Sequence, residues 1–161
     1  MRLQKLPKDY VAHLGLSSDT GDFLTTVGLP TELYELKHSI EISFYSDKER
    51  MIKKEFNGTN YVIIGDDSGT QLAISLDDNH VYSVDFDNVV PTNPICFVNS
   101  SVDKFVKSIR CFIAFKAKAE NREQPEDQLI ESMKEQIVNI DKKALYPGTW
   151  WGQIIDDLIK D

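Results

Sequence analysis

The stretch YVIIGDDSGTQLAISLDDNHVYSVDFD, residues 61–87, decides the fold. Tyr61-Val62-Ile63-Ile64-Gly65 is a short apolar run, Asp66-Asp67-Ser68-Gly69 has turn chemistry, and Leu72, Ile74 and Leu76 then alternate with Ala73 and Ser75. Asp77-Asp78-Asn79 turns the chain again. From His80 to Phe86 the period of two resumes, with Tyr82, Val84 and Phe86 on one face and Val81, Ser83 and Asp85 on the other. Turns this short join antiparallel neighbours, so the stretch predicts a meander. In an up-down-up ribbon the loop after the first strand and the far end of the third lie together. Asp66, Asp67, Asp85 and Asp87 are therefore expected at one end. Asp77 and Asp78 are expected at the other, about 20 Å away along a six-residue strand.

Upstream, Phe56-Asn57-Gly58-Thr59 carries the Asn-Gly turn dipeptide, and residues 46–55 read as charged loop. Ile40, Ile42 and Phe44 alternate with polar residues as in a half-buried strand. Ser18, Asp19 and Thr20 offer capping oxygens ahead of Phe23, Leu24 and Val27, and Gly28-Leu29-Pro30 stops that short helix. Residues 1–16 read as a tail or a short docking segment.

Downstream, Pro91 and Pro94 mark a loop, and residues 95–98 supply one more strand. The period then changes. Ser100 and Asp103 have capping-box spacing, and Phe105, Ile109, Phe112 and Ile113 recur at helical steps to about residue 116. Residues 118–127 are solvated helix or connector, and Leu129, Ile130, Met133 and Ile137 mark another helix. Thr149 can cap a last helix striped with Trp151, Ile154, Ile155 and Leu158, and at least one of Trp150 and Trp151 belongs in the core. Helix, strands, then helices predict one α+β domain over residues 1–161, an antiparallel sheet with helices packed mainly on one face.

The 161 residues carry a formal charge of −8, all of it regional. Residues 1–54 hold eight basic and eight acidic side chains, and residues 104–161 hold ten of each. Between Lys54 and Lys104 there is no Lys or Arg, while Glu55, Asp66, Asp67, Asp77, Asp78, Asp85, Asp87 and Asp103 supply the excess. A pI near 4.9 argues against direct binding to nucleic acid or an anionic membrane face. No run approaches the roughly 20 apolar residues of a membrane span, and residues 1–16 lack the apolar core of a signal peptide. Cys96 and Cys111 sit in apolar strings and read as buried free thiols, which fits a reducing cytoplasm.

The acids have three readings. Asp in a tight turn bonds its own backbone, which accounts for each turn singly but not for the missing basic residues. A partner-facing acidic surface formed by Asp66, Asp67, Asp85, Asp87, Asp77 and Asp78 accounts for both. A hard-cation site needs oxygen ligands at a spacing that is absent. His13, His38 and His80 lie far apart without metal-ligand spacing, and there is no P-loop, nucleophile elbow, H-E-x-x-H or dinucleotide fingerprint. No catalytic residue, metal or cofactor is assigned.

Four segments carry a resemblance. They are Phe23-Leu24-Thr25-Thr26-Val27-Gly28-Leu29-Pro30, the meander itself, Phe97-Val98-Asn99-Ser100-Ser101 leading into the Phe105 helix, and Ile140-Asp141-Lys142-Lys143-Ala144-Leu145 followed by Trp150-Trp151. In this order and spacing the chain resembles the SUKH superfamily, bacterial immunity proteins related to a fungal cell-wall regulator, and most closely the subgroup ending in a Trp-containing helix. The resemblance implies a non-catalytic α+β protein that binds and neutralises a cognate toxin, often a nuclease or nucleic-acid deaminase. It transfers no contact residues. Such a toxin would present a basic surface, matching the acidic segment, with Tyr61 and Tyr82 the aromatic anchors nearest the acids. A regulatory scaffold of cell-wall or stress signalling is the alternative, and a metal-dependent enzyme built on the acids is a third reading.

Overall fold

The computed structural model describes residues 1–36, 39–89 and 92–160. The expected positions of His38 and Pro91 lie outside them. The elements run β1 (Arg2–Gln4), α1 (Lys8–Val11), α2 (Ser18–Thr26), β2 (Leu29–Thr31), β3 (Ile42–Phe44), β4 (Lys53–Phe56), β5 (Thr59–Asp67), β6 (Thr70–Ser75), β7 (Val81–Val84), β8 (Ile95–Asn99), α3 (Val102–Glu120), α4 (Glu126–Ile140) and α5 (Trp150–Lys160). The fold is α+β. A six-stranded antiparallel sheet has the order β3-β5-β6-β7-β8, with β4 sharing the β3 edge of β5. The central strands follow chain order, as the meander predicts.

Residues 1–16 are not a tail. β1 pairs antiparallel with β2, and Leu6, Val11 and Leu14 are buried in the main core. Short apolar residues scattered among charges leave no periodic signal in so brief a segment. The second correction is β4. Lys53, Lys54 and Glu55 are a strand, joined to β5 by a tight turn with Asn57 and Gly58 both at positive φ. A charged strand at a sheet edge discourages stray pairing and looks like loop in sequence.

The caps of α2 and α3 sit one residue from the expected places. Ser17 Oγ accepts from the Thr20 N–H, and Ser101 Oγ accepts from the Lys104 N–H at 3.1 Å. α3 runs on to Glu120 and α4 starts at Glu126, so the polar segment 118–127 is helix at both ends with a five-residue connector, 121–125, between them. Thr149 Oγ1 accepts from the Gly152 N–H at the start of α5.

The helices cover one side of the sheet. Val62, Ile64, Leu72, Ile74, Val81 and Val98 point into a core shared with Phe105, Ile109 and Phe112 of α3 and with Trp150 and Trp151, both buried. Asn99 anchors this core: its Oδ1 accepts from Trp151 Nε1 at 2.9 Å and its Nδ2 donates to Asp141 Oδ2 at 3.1 Å. The opposite side carries a second, smaller cluster. Tyr61, Ala73 and Val84 are its buried centre, with Phe56, Tyr82, Phe86 and Ile95 packed around them, all from strands or the residues just after β7.

Candidate functional site

The acidic segment divides into two ends, as the ribbon geometry requires. Asp67 pairs with Thr70 across the β5–β6 turn, and Gln71 next to it pairs with Val84 at the end of β7. At the other end the Thr59 hydroxyl donates to Asp77 Oδ2 at 3.1 Å. The structure places the six aspartates in different chemical situations.

Asp66 and Asp67 are not turn residues. Both lie in β5, paired with β3 on one side and β6 on the other, and the turn itself is Ser68-Gly69. Strand alternation sends their side chains to opposite faces. Asp67 points to the helix side, where its Oδ2 accepts from Trp150 Nε1 at 2.8 Å and from the Ser83 and Thr70 hydroxyls at 3.4 Å. Burial pushes the Asp67 carboxyl above its usual range, against the opposing pull of those hydrogen bonds. Beside it opens a groove of about 520 Å³ lined by Asp67, Thr70, Ser83, Pro94, Cys96 and Trp150.

Asp85 does not belong to the expected surface. It is 1% exposed, and its Oδ1 accepts from the Val89 N–H at 2.9 Å, fixing the loop after β7. Asp85 alternates with the outward-facing Val84 and so points inward; sequence spacing alone could not separate a loop-anchoring acid from a surface one. Asp87 is exposed.

Asp77 and Asp78 are both exposed at the β6–β7 turn. Asp78 also organises what stands beside it: Oδ1 accepts from the His80 N–H at 2.9 Å, and Oδ2 accepts from the Tyr82 hydroxyl at 2.7 Å and lies 3.3 Å from His80 Nδ1. Tyr82 rises well above the ordinary phenol range, first because it is partly buried and then because its hydroxyl already donates to a carboxylate. Tyr61 shifts the same way, through burial and then the charges of Asp78 and Asp77.

Around these tyrosines the helix-free face is aromatic. Tyr61 meets Tyr82 and Phe86 edge to face at 6.2 and 6.1 Å, Phe56 meets Phe86 at 5.7 Å, and Phe97 meets Tyr82 and His80 at 5.8 and 5.7 Å. Phe56, Phe86 and Phe97 were not among the expected anchors. The available signal was that β7 and β8 are apolar on both faces, which a strand with one solvated face would not be. Cys96 and Cys111 are free, as expected, but half-buried rather than buried, and burial pushes the Cys96 thiol up to about 11. Among the described residues no group of three or more His, Cys, Asp or Glu has metal-binding geometry, and no helix is long and apolar enough to cross a membrane.

The arrangement is that of an α+β protein: a meander with helices on one side, and an aromatic, acid-flanked face on the other. The model of the SUKH-4 immunity protein family matches residues 1–157, and the chain belongs to that family. No curated protein and no solved structure matches it. Family membership supports an immunity function and a cognate toxin as partner.

Proposed function

We propose that the protein binds and neutralises a cognate polymorphic toxin, a nuclease or nucleic-acid deaminase, inside the cytoplasm of the producing cell, without catalysis of its own. The observation that carries this reading is the family match over residues 1–157. The charge distribution supports the kind of partner. A toxin acting on nucleic acid needs a basic substrate groove, and an acidic protein with no Lys or Arg between Lys54 and Lys104 is drawn to it over a long range. The contact surface is drawn from Asp66, Asp67, Asp77, Asp78 and Asp87.

The test is co-expression with candidate toxin domains from the producing cell. The expected result is restored growth of the host and co-purification of the two chains. Continued killing, with no complex between the purified proteins, overturns the reading.

A further inference from the structure

The two acidic ends are not equivalent, and their difference selects a docking face. At the Asp67 end the carboxylate nearest the helices is engaged by Trp150 Nε1, and Asp85 is buried. At the Asp77–Asp78 end both carboxylates are exposed and stand against the aromatic cluster on the helix-free side of the sheet. By strand alternation Asp66 returns to that same side at its far end. The face therefore carries aromatic rings between carboxylates. We infer that this outer sheet face, centred on Tyr82 and bounded by Asp77 and Asp78, is where the toxin docks, and that what it receives is an arginine-bearing basic surface.

The inference rests on the proposed toxin-binding function and adds to it the location and chemistry of the contact. Partly exposed Tyr82, Phe86 and Phe97 provide ring faces and edges, which with nearby carboxylates suit a planar guanidinium that stacks and forks at once. The protein already seats one cation this way: Lys54 Nζ lies 4.8 Å from the centre of the Phe86 ring. Lys54 is the basic side chain that β4 contributes here, since Lys53 reaches toward Gly15 and Leu76. β5 to β8 supply none, so the face is negative. Rigid aromatic anchors flanked by acids have the composition of an interface hot spot, and the hydrogen bond from Tyr82 to Asp78 holds the acid in place before the partner arrives.

The experiment uses the full chain and a catalytically inactive form of the candidate toxin domain from the producing cell. Backbone amide exchange of the wild-type protein, free and in complex, should show new protection in β6, β7 and β8 and the turn at Asp77–Asn79. D77K/D78K should weaken binding by about 30-fold or more, the scale of losing a hot spot. A control with the same charge change, E123K/E135K on the helix side, should cost less than about threefold. Tyr82→Ala, checked for folding by circular dichroism, should weaken binding even at high salt. Tight binding by D77K/D78K, or protection confined to the groove between α4 and α5 around Glu131 and Ile159, overturns the assignment of the face while leaving the toxin as partner. A wild type that binds no toxin overturns both.

Discussion

The indole N–H of Trp150 donates to the Asp67 carboxylate at 2.8 Å, tying the first turn of the last helix to the end of the longest strand across 83 positions of sequence. The bond gives a half-buried acid a donor without giving it a counter-charge.

That combination fixes the sign of a pH effect. With the Asp67 carboxyl raised by burial, the folded protein keeps its proton to higher pH than the unfolded chain does. Its contribution to stability is therefore full below the unfolded carboxyl range and is lost as pH rises through the folded value. Asp67→Asn keeps an acceptor for Trp150 and removes the titration. It should be at least as stable as wild type at pH 7, with the difference closing near pH 3, in urea denaturation. Asp67→Ala leaves the Trp150 N–H without its acceptor and should cost about 1–3 kcal/mol.

Asn99 binds the helices to the sheet through a buried network. Trp151 Nε1 donates to its Oδ1, its Nδ2 donates to Ser108 Oγ and Asp141 Oδ2, and the Ser100 N–H donates to Asp141 at 2.7 Å. Trp151→Phe and Asp141→Ala each remove one partner of the same amide. Each should cost about 1–3 kcal/mol, and the pair should depart from additivity by about 0.5 kcal/mol or more in a double-mutant cycle. Strictly additive losses would mean the two halves of the network act independently.

Gly65 sits where the β5–β6 register shifts, and a Cβ there would lie 2.4 Å from the Ser43 carbonyl oxygen of β3. That neighbour is backbone and cannot rotate aside. Gly65→Ala should lift β3 from β5 and cost about 1–3 kcal/mol, with amide exchange quickening first at residues 42–44. An alanine variant as stable as wild type would show that the edge strand contributes little.

Much of this was legible in sequence because the meander alternates cleanly and its turns are built from Asp, Asn and Gly. What escaped has physical reasons. β4 hides as Lys53-Lys54-Glu55 because an edge strand is better charged than apolar. Asp66 and Asp67 look like turn residues, yet the chain turns at Ser68 and Gly69, whose positive φ values satisfy a two-residue hairpin. The Asp67 side chain is read correctly only with Trp150 in view, and no local pattern links residues 83 apart. Asp85 is hidden for a different reason: it accepts from the Val89 N–H only four residues on, in a loop with no periodicity to mark the contact.

The thiols offer a check on the groove beside Asp67. Burial, then the nearby Asp67 charge, raises Cys96 to about 11, and its sulfur donates to the Gly148 carbonyl at 3.4 Å; burial also raises Cys111. At pH 8 only about one Cys96 in a thousand is thiolate, so alkylation of the native protein should run about two orders of magnitude slower than for an ordinary exposed cysteine. Denaturation without reductant should release two titratable thiols, as befits two free cysteines. Rapid labelling of Cys96 in the native state would show that the groove opens in solution.

Charge placement predicts how binding proceeds as well as where. The acids between Lys54 and Lys104 are unmixed with bases, so their field adds over the length of the meander instead of cancelling within it. Exposed charges act within about 10 Å at 0.1 M salt, and this shortens as salt rises. Raising salt from about 0.05 to about 0.5 M should slow association with a basic toxin by roughly tenfold or more, while dissociation, governed by the desolvated aromatic contacts, changes less. Stopped-flow mixing of the two proteins measures both. Asp77→Asn and Asp78→Asn should each reduce the slope of association rate against salt, whereas Tyr82→Ala should raise the dissociation rate and leave that slope unchanged. A salt-independent association rate would mean that the unbroken run of acids serves the fold and its turns rather than the encounter.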